Sequence, residues 1–539
     1  MKKVIIEERK NNTFINLVIT AILGFVFYFL FLPALNLTSM GFWGFIFLLF
    51  GIFTLLNLFG NIDSRGNIIS GIKLLVSLVS LMGVVLSLII AINFILSPIF
   101  NSKLYSKRID VNTKGDFYKD IEEVDFDKLP LLDKASSQKL GDRVMGQMPE
   151  LVSQFYVSDL YTQINYQNKI VRVTPLEYNG FFKYLANKKE GIKGYITVNS
   201  VSGKSKLVKL EKGMKYMDSA ILMEDLNRKL RFTYPTKIFG EKSFEIDNEG
   251  NPYWVVPVLK YTGIEMLEEI DGVVLLDPIT GKSKFYKTKD VPKWVDHVYS
   301  AKLVIEQLDN WGEFRNGFFN SLFGQKDVIN TTDGYNYLVM DDDVYLYTGI
   351  TSVSTDESNL GFVLVNLRTK ETNYYSAPGA EEYSAMASAE GLVQEKKYKA
   401  SFPLLINLNN KPTYLLSLKD NAGLVKMYAF IDVEDYQKVV VSDASLGIEI
   451  AAEKYLGDSI STSNEILKKE IVIKDITSAV IEGNTSYYIT DTNNNLYIAS
   501  IKINKNLLPF LTKESKVNIS YNEGEISQII GISIGEENE

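Results

Sequence analysis

Gly250-Asn-Pro-Tyr-Trp-Val255, Tyr261-Thr-Gly-Ile264 and Gly272-Val-Val-Leu-Leu-Asp-Pro-Ile-Thr-Gly-Lys282 follow one another in mid-chain. The same three landmarks recur in the same order as Gly334-Tyr-Asn-Tyr-Leu-Val339, Tyr347-Thr-Gly-Ile350 and Gly361-Phe-Val-Leu-Val-Asn-Leu-Arg-Thr-Lys-Glu371. A third copy of the last landmark is Gly194-Tyr-Ile-Thr-Val-Asn-Ser-Val-Ser-Gly-Lys204, and a degenerate fourth is Met427-Tyr-Ala-Phe-Ile-Asp-Val-Glu-Asp-Tyr-Gln437. Self-similarity at intervals of this size marks a repeated supersecondary unit. In each copy an apolar run ends in Asn or Asp, followed in three of them by a small or turn-forming cluster. Those side chains accept backbone hydrogen bonds two residues on, and Pro and Gly suit the turn, so each run predicts one arm of a β-hairpin.

The second arms are predicted at 206–210, 283–288, 372–376 and 438–442, and helical stretches at 216–230, 292–308, 380–397 and 446–456. The second helix offers Trp294, Val298, Leu303 and Ile305 as an apolar stripe to cover one sheet face. The expectation is an α+β body of tandem hairpin-plus-helix modules: 151–233, 234–310, 311–397 and 398–458. Ahead of them, 101–150 reads as a stalk with a helix at 134–148. Behind them, 459–539 holds five β-like runs and a short helical piece at 506–511, the pattern of a small barrel resembling an OB-fold.

The run from Gly250 to Lys282 resembles the PepSY-type module of extracytoplasmic bacterial proteins, which ends its β-meander in a similar Asp-Pro-x-Thr-Gly turn. The whole chain also resembles a clostridial-type family of multi-span membrane proteins with PepSY-like modules. The resemblance implies an envelope location and a role in regulating or inhibiting a partner protein.

Outward from the modules, the N-terminal residues 1–100 read as a membrane head. Runs 15–37 and 41–60 carry no charge, and 68–100 carries only Lys73. About 20 apolar residues at a rise of about 1.5 Å cross the hydrocarbon core, so each run spans it once. The first run has no small-x-small cleavage pattern behind it and reads as a retained anchor. Lys2, Lys3, Arg9 and Lys10 precede the first span, Arg65 and Lys73 lie between the second and third, and Lys103, Lys107 and Arg108 follow the third. Six basic residues on the N-terminal side against three on the other predict a cytoplasmic N-terminus and an extracytoplasmic body in a bacterial cell membrane.

The 539 residues contain no Cys and one His, which removes thiolate nucleophiles, Cys-ligated zinc and His-pair metal sites. Residues 111–539 carry a net charge of −13, a poor match for nucleic acid. The barrel segment 461–539 has seven Lys against eleven acids, so no nucleic-acid groove is expected there. Gly203-Lys-Ser205 and Gly281-Lys-Ser283 look like pieces of a phosphate loop. They lack the earlier Gly, which is Val198 or Leu276, and they fall in hairpin turns, so no nucleotide site is expected. His297 beside Asp296 has no nucleophile elbow to serve. Asp341-Asp-Asp343 and Asp356-Glu357 have the carboxylate density for Ca²⁺ without its spaced loop, and read as solvated turns. Trp311, Phe314, Phe318, Leu322 and Phe323 form an aromatic stripe that either packs between modules or dips into a bilayer, with packing favoured.

Together these features predict a membrane-anchored extracytoplasmic scaffold or regulator that binds an envelope protein, with no catalytic, cofactor or metal residues. The alternatives are an accessory subunit of a membrane transport complex and an envelope hydrolase. Its expected partners are the lipid bilayer and an envelope or membrane protein.

Overall fold

The computed structural model describes residues 13–59, 72–340, 343–352, 355–460, 467–481, 484–501, 503–522 and 527–534. The chain divides into two compact units, one of residues 1–387, 401–414 and 433–436, the other of 388–400, 415–432 and 437–539.

Three helices, α1 (Thr13–Phe31), α2 (Met40–Phe59) and α3 (Ile72–Leu96), are long and apolar enough to cross a membrane. Asn16 donates to Asn57 Oδ1 at 3.1 Å and joins α1 to α2. Gly24 brings α1 close to Leu49, the small-residue contact that lets helices pack without a hydrophobic driving force. A short helix, α4 (Pro98–Ser106), follows α3. The basic residues ahead of α1 and Arg65 lie outside the described residues, as does the side chain of Lys73.

Among the described residues, the body ahead of 467 contains four sheets built in one order. In sheet I the long strand Lys169–Tyr178 pairs along one edge with both Phe155–Val157 and Thr162–Tyr166; Ile192–Asn199 and Ser205–Met214 follow on the other side. Sheet II repeats this with Ile238–Phe239, Ser243–Ile246, Pro252–Tyr261, Glu268–Leu276 and Ser283–Lys287. Sheet III uses Ile329–Thr331, Asn336–Met340, Asp343–Ser352, Thr355–Asn366 and Thr372–Ala380. Sheet IV uses Lys399–Ala400, Leu404–Leu408, Lys411–Lys419, Val425–Asp432 and Val439–Asp443.

The turns between the last two strands explain the last of the three landmarks; of the first, Pro252–Val255 lies on the third strand of sheet II and Asn336–Val339 on the second strand of sheet III. Asn199 Oδ1 accepts from the backbone of Val201 and Ser202, Asp277 Oδ1 from Ile279 and Thr280, and Asn366 Oδ1 from Arg368 and Thr369. Gly203, Gly281 and Lys370 then turn left-handed, at φ 69°, 71° and 69°, each donating its N–H to the carbonyl of that Asn or Asp. Lys370 occupies a position that glycine fills at lower cost, and its ammonium is held by Arg108 O and Glu269.

The two central strands of sheet II are buried on both faces over 254–258 and 272–276, which is why they read as continuous apolar runs rather than an alternation. Trp254, Val256, Val258, Val274 and Leu276 pack into one core with sheet I, where Phe244 meets Trp254 and Tyr195 edge-on. The alternate residues Val255, Val273 and Leu275 pack into a second core with sheet III and the helix Ala301–Phe314. Sheet II therefore shares one core with sheet I and another with sheet III and the helix Ala301–Phe314.

That helix starts at Ser300, whose hydroxyl caps Leu303 N, and not at 292 as expected. The backbone N–H groups of Asp296 and His297 go to Glu245, and those of Val298 and Tyr299 to Leu367 O, leaving no i−4 ladder over 291–300. The other helical stretches settle as Leu226–Thr233, Glu382–Leu392 and Ile448–Ile460. Segment 101–150, expected as a stalk, is packed into the body. Val111–Gly115 adds to Thr372–Tyr375 as a parallel strand, and Lys134–Gly146 lies on sheet I with Gly141 against Tyr161 and Ile196.

The last 73 residues from 467 hold five strands, Leu467–Ile481, Asn484–Asp491, Leu496–Ser500, Lys516–Asn522 and Ser527–Ile534. They close as a barrel in the order first-second-third-fifth-fourth, with a 3₁₀ turn Leu508–Phe510 before the fourth strand. Its core is Ile471, Ile473, Ile489, Tyr497, Leu508, Val517 and Ile519.

Candidate functional site: a basic groove on sheet I

The edge strand Ser205–Met214 pairs with Ile192–Asn199 on one side only. Its sequence places Lys206, Lys209 and Lys212 along this edge, with Lys204 at the turn that leads into it, and all four are exposed. Beside the strand opens a groove of about 850 Å³. Tyr166, Tyr195 and Val208 line it, and Lys169 joins the four lysines at its rim. The acids lining it are Glu211 and Glu249, so the groove carries a net +3 on a body of net −13. Among the described residues none of the five lysines makes an ion pair.

The opposite wall is the turn between the second and third strands of sheet II, held rigid by Asp247. Its Oδ1 accepts from Glu249 N and Asn251 N at 3.1 and 2.8 Å, and its Oδ2 from Asn251 Nδ2 at 2.9 Å. Tyr195 donates to Gly250 O at 2.8 Å, and Gln167 to Asn248 O at 3.1 Å, which ties the wall to sheet I. Burial pushes the Tyr195 phenol well above its ordinary range, so it stays a neutral donor. The lining is thus a set of ammonium groups, hydroxyls and two tyrosine rings on an open strand edge. Such a set binds; carboxylates and phosphates meet charge, and an extended chain meets free backbone groups.

The singled-out motifs fall as follows. Gly203–Ser205 forms the hairpin turn at the end of this groove, and Gly281–Ser283 the matching turn of sheet II. His297 is not helical; its Nε2 lies 2.7 Å from Gln163 O and its ring stands edge-on to Tyr337. Asp296 is buried and accepts from Asn165 N at 2.8 Å. Asp341 and Asp342 lie outside the described residues, as do the side chains of Asp356 and Glu357. Asp343, expected in a solvated turn, is buried instead: Arg368 reaches it through Nε and Nη2 at 2.6 and 2.5 Å, and Asn366 at 2.8 Å. The arginine is two residues beyond the hairpin Asn, and the tight turn folds it back onto the strand. The aromatic stripe splits: Phe314 and Phe318 pack on Tyr105 and Leu267, while Phe319, Leu322 and Phe323 are exposed.

The chain matches no family model and no curated protein. The groove itself was missed from sequence, although Lys204-x-Lys-x-x-Lys-x-x-Lys212 carries four lysines along one strand and the turn that leads into it.

Proposed function

We propose that the protein is a membrane-anchored scaffold or regulator whose body binds an acidic, extended segment of an envelope protein along the edge strand Ser205–Met214. The observation that carries this reading is the concentration of five unpaired lysines, three of them on the open edge strand, around one groove of an otherwise acidic body. Strand addition would supply main-chain hydrogen bonds, and the lysines would attract carboxylates along the added segment.

The common strand order of the four sheets and their matching turns support reading them as four copies of one PepSY-like module. The first-second-third-fifth-fourth barrel order supports reading this segment as a barrel resembling an OB-fold, and seven Lys against eleven acids in 461–539 argue against nucleic acid as its partner. The distribution of Lys and Arg supports a cytoplasmic N-terminus with the body outside.

The test uses the full chain in detergent and a fluorescent poly-glutamate peptide. Binding should weaken with salt, and Lys206→Glu with Lys209→Glu should weaken it by about tenfold or more. Equal affinity of the double variant removes the groove from the function. Protease accessibility of the body in intact cells tests its side of the membrane.

A further inference from the structure

Some exposed aromatics of the body lie on segments tied to the apolar helices and to α4. The loop between α1 and α2 is bonded to the body: Leu35 N donates to Pro235 O at 2.8 Å, Asn36 Nδ2 to Thr236 O at 3.0 Å, and Glu265 N to Thr38 O at 2.9 Å. Asn93, near the end of α3, exchanges two hydrogen bonds with Ile264, at 3.0 and 3.1 Å. Trp43 donates to Leu37 O in the same layer, the position such rings take at a lipid–water boundary. Residues 35–38 and 264–265 therefore mark the level at which the helices leave the hydrocarbon.

Two apolar knobs flank that level. On one side Arg228 donates to Phe29 O of α1, its guanidinium 4.3 Å from the Phe29 ring centre, and also to Leu222 O. Leu222 and Met223 are exposed there, next to the short helix Phe181–Asn187, which is tied to them through Tyr184 OH and Ile221 O. Tyr184 faces inward, while Phe181, Phe182 and Leu185 face out, Phe182 at 81% exposure. Lys188 and Lys189 follow directly and are exposed. On the other side Tyr105 of α4, Leu267 and Phe314 form a small core on which Phe318 and Met266 pack. The adjoining turn Asn320–Gly324 presents Leu322 and Phe323 outward beside Phe319, Phe323 at 77% exposure.

We propose that these knobs are feet that seat the body on the surface of the bilayer its own helices cross, Phe181, Phe182 and Leu222 on one side and Phe319 and Phe323 on the other. The occupant is the headgroup–acyl boundary of a phospholipid leaflet. Large apolar side chains left in water beside an anchored span are already within reach of lipid, and the lysines after Phe182 suit anionic headgroups. The placement also accounts for the split aromatic stripe: Phe318 fixes the turn to α4, and its neighbours are left for lipid.

The absence of Cys allows single labels. Phe182→Cys and Phe323→Cys are nitroxide-labelled in the full chain, reconstituted in phosphatidylcholine–phosphatidylglycerol vesicles, with Lys204→Cys as the water-facing reference. Both foot labels should relax faster with oxygen than with a water-soluble nickel chelate, the reverse of the reference. Preference for the nickel chelate at both sites overturns the proposal. Shielding from both reagents with dipolar broadening between labels gives the surface to a second copy, and shielding without broadening gives it to protein packing; either result also overturns it. Because both positions are exposed, the variants should melt as the parent does. A variant that does not is replaced by Phe319→Cys, read in the same way.

Discussion

Tyr261-Thr-Gly-Ile264 and Tyr347-Thr-Gly-Ile350 are the same four letters at different places on the third strands of sheets II and III, the end of Pro252–Tyr261 and the middle of Asp343–Ser352, and they do different work. In each the tyrosine hydroxyl donates to a glutamate, Glu268 at 3.0 Å and Glu382 at 2.8 Å. At Tyr261 the partner is seven residues on across a hairpin, and Gly263, at φ 85°, starts a turn that meets Asn93 and Leu96 of α3. At Tyr347 the hydroxyl, ring and glutamate are all fully buried, with Asn359 bridging Glu382 and Tyr414. Gly349 lies in mid-strand, and a Cβ there would come 2.5 Å from Glu382 Oε1 and 2.6 Å from Asn359 Nδ2. One glycine makes a joint with the membrane head, the other a vacancy for a buried carboxylate. Surroundings, not spelling, assign the role.

The contrast breaks most visibly at the glycines. Gly349→Ala should cost about 3 kcal/mol by driving Glu382 and Asn359 out of register. Gly263→Ala should cost about 1 kcal/mol, mostly from its left-handed backbone. Thermal or denaturant melting of the two single variants checks the ratio, and equal losses would refute the division of roles.

A third hydroxyl–carboxylate pair sharpens the comparison through pH. Glu177 is buried and accepts from Ser219 through both its N–H and its hydroxyl. Burial pushes its carboxyl up to about 7, the serine bonds opposing only part of that rise. Because the folded value exceeds the unfolded one, the folded state binds the extra proton. Stability is therefore full below about pH 4.5, falls as pH rises to about 7, and is level beyond. Glu177→Gln should remove that slope and raise stability at pH 8 by about 2 to 3 kcal/mol. Melting at pH 5 and pH 8 measures it.

The same logic separates neighbours in the aromatic stripe. Phe318→Asp should destabilise the body by about 2 kcal/mol, because Phe318 packs against Phe314 and Phe319 and joins the Tyr105 core. Phe323→Asp should leave the melting of detergent-solubilised protein within about 0.5 kcal/mol. The two hydroxyls divide in the same way. Tyr347→Phe leaves a buried carboxylate oxygen without its donor and should cost about 2 kcal/mol, whereas Tyr261→Phe, half-buried, should cost under about 0.5 kcal/mol.

What could be read from sequence was what is held locally. The Asn199, Asp277 and Asn366 turns are made by bonds within four residues, and the three apolar helices by composition alone. What escaped is held from afar. Residues 291–300 look helical by pattern, yet their N–H groups go to Glu245 and Leu367, some 50 to 70 residues away. The groove escaped for the same reason: three of its lysines lie on one strand, but its far wall arrives through Gln167 and Asn248, 81 residues apart. Asp343 reads as one of three solvated acids until Arg368, 25 residues on, folds back upon it.

The parallel pairing of Val111–Gly115 with Thr372–Tyr375 spans 261 residues, from Asn112 to Asn373. As the polypeptide is made, the earlier partner must wait unmatched until the later one emerges. A fragment trimmed to begin at sheet I would leave Thr372–Ala380 as a bare border, open to annealing with its twin in a neighbouring molecule. Soluble versions of this body should therefore start upstream of residue 111.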